Sequence, residues 1–218
     1  MNVPPVRPQL HWLTVSLVVL LAILTGCSFL KPSAGEEHDY LLSPIQSPGS
    51  SAAQNRPGAY VVRVLPVEVP EYLQTSDMAV QVGTNEVFFA KFNHWAEPLE
   101  TGIRRVLVEN LRAEDSGREV FTDEPAPEGL TVYMISVQVM EFEAKDINGQ
   151  GSIDFEAAWE ISSTGKSPPI RGFFRAPPLP WHPGDYAGLA RQLSQALTDV
   201  SRHLDRAISA QAHAQSVQ

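Results

Sequence analysis

The sequence predicts an α+β fold: a mostly antiparallel sheet with two main helices packed on one face, in a single domain over residues 39–210. Three observations predict it. Ile153, Phe155, Ala157, Trp159 and Ile161 alternate with Asp154, Glu156 and Glu160, the pattern of a half-buried strand. Two apolar stripes recur at helical spacing: Leu99, Ile103, Val106, Leu107 and Leu111, then Leu189, Leu193, Ala196, Leu197, Val200, Leu204 and Ile208. The elements fall in the order strands, helix, strands, helix, with no internal repeat at a fixed period.

The first 26 residues stand apart from that fold. Arg7, His11 and the α-amino group precede an apolar run from Leu13 to Leu24. A helix of that length spans about 18 Å against a hydrocarbon core of about 30 Å, so the run reads as the h-region of a signal peptide. Small residues Thr25 and Gly26 lead to Cys27, the only cysteine of the chain. No intramolecular disulfide is possible. Leu24-Thr25-Gly26-Cys27 resembles the bacterial lipobox, in which the cysteine thiol takes a diacylglycerol and becomes the mature N-terminus. Several acyl chains on Cys27 would make membrane attachment stable. Residues 27–38 are then a lipidated tether. Ser28, where Asp would retain the protein in the inner membrane, favours the outer membrane, facing the periplasm.

The remaining elements follow in order. Tyr40-Leu41-Leu42 is an edge strand, and residues 43–58 form a loop rich in Pro, Gly and Ser. Tyr60 to Val67 is β-branched and ends near Pro66, which cannot donate to a ladder. Glu68 to Leu73 is a connecting turn. Met78–Val82 and Glu86–Phe92 flank Gly83-Thr84-Asn85 as a hairpin. Pro98 occupies the first turn of a helix that ends between Arg112 and Ser116. Glu119 to Phe121 is a short strand. Leu130 to Phe142 is a long one, whose apolar face switches at Met140 and Phe142, the mark of a bulge. Residues 148–151 turn into the Ile153–Ile161 strand, and Ile170–Arg175 returns as a third. Residues 177–184, with four prolines, are a stiff connector. Asp185 is the N-cap of the second helix, and residues 211–218 are a frayed polar tail.

Charge narrows the function classes. The chain has 16 basic and 25 acidic residues, a net charge of −9. Nucleic acid, whose phosphates demand Lys/Arg clusters, is excluded as a partner, and so is a polybasic membrane patch. No apolar run after Cys27 is long enough to span a bilayer. Nucleophile elbows and phosphate loops are absent, and no histidine pair has metal-ligand spacing. The chain is therefore read as no enzyme and as needing no cofactor. Asp154 and Glu156 share a strand face and read as a solvated pair. Trp95 and Trp181 each precede a helix, where an aromatic packs back on the first turn. Together with Tyr72 and Leu73 they are the candidate partner-contact residues. Phe88 and Phe89 point to opposite faces of one strand, so one of them is expected to be exposed.

Several of these segments resemble one family. Behind the lipobox come Tyr40-Leu41-Leu42, a Val-rich strand at 60–65, Val69-Pro70-Glu71-Tyr72-Leu73, Asn85, Trp95-Ala96-Glu97-Pro98-Leu99, the Ile153–Ile161 strand and the Tyr186–Ile208 helix. In this spacing the chain is similar to the ABC-type transport auxiliary lipoproteins over most of residues 39–208. The P-x-Y-L and W-A-E-P-L stretches are the specific part. The resemblance implies a periplasmic domain with a docking or structural role in a transport system built from an inner-membrane ABC transporter and MCE-domain proteins. Such systems move lipids or other hydrophobic molecules between the two membranes. It also implies an MCE-domain protein as partner and ring-shaped homo-oligomers. Two other readings stay open: an outer-membrane assembly lipoprotein unrelated to MCE transport, and a lipid-anchored hydrolase.

Overall fold

A computed structural model describes residues 35–45, 60–115, 118–165 and 167–216, with side chains to residue 214. The signal peptide, Cys27, Ser28 and residues 46–59 of the loop lie outside the described residues. The chain divides into two units, Met1–Glu36 and Glu37–Gln218, and every element below belongs to the second. In chain order these are β1 (His38–Tyr40), β2 (Tyr60–Val64), a 3₁₀ turn (Glu71–Leu73), β3 (Asp77–Val82), β4 (Glu86–Trp95), α1 (Leu99–Glu114), β5 (Val120–Phe121), β6 (Thr131–Ile147), β7 (Gln150–Ser163), β8 (Ile170–Arg175), β9 (Leu179–Trp181) and α2 (Tyr186–Ser216).

The sheet is organised around the β6–β7 hairpin. Ile147 pairs with Gln150 across Asn148-Gly149, both at positive φ (56° and 80°), the two-residue turn that matches strand twist. The strands therefore run to the turn, and the expected end of β6 at Phe142 moves to Ile147. Between Val139 and Glu141 the register shifts by one residue. Met140 is that extra residue. It faces solvent, while Val139 before it and Phe142 after it are both buried. The face switch in the sequence is thus a bulge, with Phe142 turned in and Met140 turned out.

Each strand of the hairpin divides its far edge between two short strands. Along β6, β2 pairs in parallel with Thr131–Ile135, Glu68 bridges Gln138, and β3 pairs in parallel with Ala144–Asp146. Along β7, β8 pairs with Glu156–Ile161 and β9 with Gly151–Ile153, both antiparallel. β9 replaces the expected connector: Pro180 lacks a donor, but on an outermost strand none is required of it. β4 extends the sheet antiparallel to β3, β1 closes that side in parallel, and β5 flanks β2. The sheet is mixed, with nine strands, and most of its register is antiparallel.

Both helices pack on one face. Pro98 stands just outside α1 with ψ 132°, and its carbonyl accepts from Thr101 and Gly102 N–H. It caps the helix instead of occupying the first turn. Asp185 caps α2 as expected, its Oδ1 accepting the Gly188 N–H at 2.8 Å. The helix runs on to Ser216, past the point where fraying is expected. Gln211 is buried there and donates to the Pro168 carbonyl at 2.9 Å, and Ala212 packs on the core. Ile103, Leu107 and Leu111 of α1 and Leu193, Leu197 and Leu204 of α2 share one core with Ile135, Phe142, Phe155 and Ile161 of the sheet. Burial of each such side chain contributes roughly 1.5–3 kcal/mol before chain entropy is charged against it. β1 lies two residues earlier than expected, at His38–Tyr40 and not at Tyr40–Leu42, because Leu42 leaves the sheet and turns into this core.

Candidate interaction surfaces

The P-x-Y-L stretch forms the 3₁₀ turn, closed by Leu73 N–H on the Pro70 carbonyl at 2.9 Å. Leu73 drops into the core. Tyr72 lies half-buried, its hydroxyl donating to the Glu143 carboxylate, 3.0 and 2.9 Å from its two oxygens. Glu143 is 4% exposed and also accepts the Phe142 N–H at 2.8 Å. Burial pushes its carboxyl pKa up, while the bonds from Phe142 and Tyr72 pull the other way. The Tyr72 hydroxyl is raised too, chiefly by burial and then by the charge of Glu143. In the sequence, the one signal of Glu143 is an acid directly after a switch of apolar face.

The W-A-E-P-L stretch holds down the chain that follows β1. Trp95 ends β4 and packs on Phe142, ring centres 6.2 Å apart. Ala96 N–H donates to the Tyr40 carbonyl, and Glu97 holds Arg105 at 2.6 Å. Arg105 in turn donates to the Leu42 carbonyl at 2.8 Å. From there Leu42–Ile45 crosses the two helices as a strap. Ser43 N–H donates to Ser194 Oγ of α2 at 3.0 Å, and Ile45 N–H to Asn110 Oδ1 of α1 at 2.7 Å. Asn110, fully buried, donates onward to Ser201. A groove of about 570 Å³ beside the strap is lined in part by Tyr40, Leu41, Ile45, Arg191 and Gln195.

Trp181 fills the start of α2. Its indole N–H donates to the Asp185 carbonyl at 2.8 Å, and its ring meets Tyr186 edge-on. Of the four residues singled out as partner contacts, Leu73, Trp95 and Trp181 are thus buried in core contacts, and only Tyr72 retains exposed surface. The structure does not bring the four together at one surface.

The charged residues of the sheet's other face are occupied as well. Asp154 pairs with Lys145 at 2.7 Å, Glu160 with Arg171 at 2.6 Å, and Glu156 with Arg175. The Asp154/Glu156 pair is therefore a rung of cross-strand ion pairs. Among the described residues no group of three or more His, Cys, Asp or Glu could hold a metal, and no helix is long and apolar enough to cross a membrane. Phe88 and Phe89 are both exposed, at 52% and 39%.

Fold and surfaces together define an α+β domain in which the conspicuous polar and aromatic side chains fasten strap, turn and helices to one sheet. The chain belongs to the ABC-type transport auxiliary lipoprotein family: the model of the ABC-type transport auxiliary lipoprotein component matches residues 40–204. It is 30% identical over 155 residues to the intermembrane transport lipoprotein PqiC of Escherichia coli K12, covering 69% of this chain and 75% of that one. The Shigella flexneri PqiC matches equally. A solved structure of a Xanthomonas campestris protein aligns with TM-score 0.65 at 17% identity, over 83% of this chain and 99% of that chain, a likeness of fold. A PelC dodecamer from Paraburkholderia phytofirmans aligns only at TM-score 0.37 and 13% identity, over 64% of this chain and 83% of that one. That likeness is too weak to say anything of assembly here.

Proposed function

We propose that this chain is a non-catalytic, lipid-anchored docking or structural subunit of an ABC/MCE-type transport system that moves lipids or other hydrophobic molecules between inner and outer membranes. Lipid on Cys27 tethers it to the outer membrane, and the Glu37–Gln218 unit faces the periplasm and meets an MCE-domain protein. The observation that carries this reading is the family match across residues 40–204, supported by the likeness to PqiC. Copies of the chain would associate into a homo-oligomer.

Affinity capture of the full lipidated chain from membranes tests the reading. Recovery of an MCE-domain protein together with an ABC permease is expected. Recovery of outer-membrane assembly factors alone would sink it. Intact mass of the mature chain reports separately on acylation at Cys27.

A further inference from the structure

Five of the eight large apolar side chains that stand exposed among the described residues gather at one corner of the sheet. Val82, Val87, Phe88 and Phe89 flank the turn at residues 83–85, and Ile147 ends β6. The two hairpin ends are joined: Val82 registers with Asp146, and Gly83 N–H donates to the Asp146 carbonyl at 3.0 Å. Exposure of this kind, concentrated in one place, marks a contact site.

What it contacts follows from the pleat. Phe88 pairs with Val80, and Val80 with Ala144, both buried on the helix-bearing face. Val87 pairs with Gln81 on the opposite face, and Phe89 shares that face. Apolar side chains are therefore exposed on both sides of the corner. A protein laid on a sheet covers one side, and a strand added to an edge covers neither. A bilayer interface surrounds both. The polar tip, Thr84-Asn85, and the carboxylates of Glu86 and Asp146 belong with the headgroups.

The tether reaches. Eleven residue steps separate Cys27 from His38, which span up to about 40 Å when extended. β1 registers His38 with Asn93, seven residues along β4 from Glu86, or about 24 Å. β1 runs parallel to β4, so its N-terminal end faces the same way as the Glu86 end of β4.

We propose that this corner is a lipid-contact wedge, with Val82, Val87, Phe88, Phe89 and Ile147 entering the interfacial zone of the bilayer that carries the Cys27 acyl chains. The proposal rests on the lipid-anchor reading above. The wedge fixes the domain's orientation, which a lipid on Cys27 alone leaves free.

The test places one label at the tip. In the mature lipoprotein the Cys27 sulfur is alkylated, so a Thr84→Cys variant of the full chain carries one free thiol for the environment-sensitive dye NBD. In phosphatidylcholine–phosphatidylethanolamine vesicles, blue-shifted emission and quenching by doxyl-labelled lipid are expected at position 84. A label at Met140→Cys, mid-sheet, is expected to stay aqueous. Adding Val87→Asn, Phe88→Ser and Phe89→Ser should abolish the shift while flotation with the vesicles persists through the anchor. A melting curve close to that of the parent checks that the variant is folded. An acylated, floating chain whose position-84 label is aqueous overturns the wedge and leaves the anchor standing. A shift that grows with protein concentration and resists doxyl quenching overturns it in favour of a second copy. An aqueous label on a chain whose mass shows no acyl groups overturns both.

Discussion

At the scale of residues, two buried charges carry consequences that can be measured. Glu143 binds its proton more tightly in the folded chain than in the unfolded one, because burial disfavours the carboxylate. Between the ordinary glutamate pKa and the raised value the folded state holds more protons, so stability falls as pH rises through that window. Below it, the contribution is fully present. Glu143→Gln keeps an acceptor for Tyr72 and Phe142 and removes the titration. The drop in Tm from mildly acidic to mildly alkaline buffer is expected to shrink in this variant. An unchanged drop would assign it to other groups. Arg118 is the second case. Its guanidinium is buried and bound to the Asp205 carboxylate of α2 and the Leu111 carbonyl of α1. Asp205→Ala leaves that cation without its counter-ion and is expected to cost about 3 kcal/mol in urea unfolding. Neither residue was visible as special in the sequence. Their importance comes from elements distant in the chain, Glu143 meeting residue 72 and Arg118 meeting residue 205.

At the scale of elements, β8 depends on one missing side chain. Gly172 sits opposite Trp159, and a Cβ there would overlap the indole ring. Gly172→Ala is expected to loosen β8 from β7 and lower the Tm, with amide exchange accelerated along Ile170–Arg175 first. Protection that stays unchanged in that strand would show that the ring can give way. The elements that were legible beforehand are those whose periodicity is long and uninterrupted: β7 by alternation, α1 and α2 by their stripes, and the hairpin turn by Asn148-Gly149. What stayed hidden was decided by distant partners. β9 is a strand because β7 offers an edge at Gly151–Ile153, which no reading of a proline-rich segment foresees. β1 stops at Tyr40 because Leu42 finds the core and Arg105 takes its carbonyl. Trp95 and Trp181 carried a real signal, aromatics before helices, and burial decides between core and contact in favour of core.

For the whole molecule, the strap after β1 ties that edge strand across both helices. Asn110 and Ser194 receive its backbone N–H groups from opposite helices. Asn110→Leu removes the acceptor for Ile45 and the donor to Ser201, and an unpaired buried polar group costs about 1–3 kcal/mol. The variant is expected to unfold at lower urea and to expose the bonds after residues 43–45 to protease before the sheet opens. Simultaneous loss of both would mean that strap and core melt as one unit.

The divided edge of β6 also sets an order of events. β2 and β3 pair with a strand whose first residue comes 67 and 49 positions after the last of theirs, whereas the β6–β7 hairpin closes through a two-residue turn. Local closure is fast and distant parallel pairing is slow. A chain made N-terminus first therefore presents β2 and β3 before β6 exists. Their β6-facing edges wait unpaired until the β6–β7 hairpin forms. Gly149→Val, which strains the turn at φ 80°, is expected to slow refolding more than it speeds unfolding. An effect confined to the unfolding rate would place the hairpin late. The time spent waiting is a period of vulnerability to aggregation, and a two-residue turn that closes quickly shortens it.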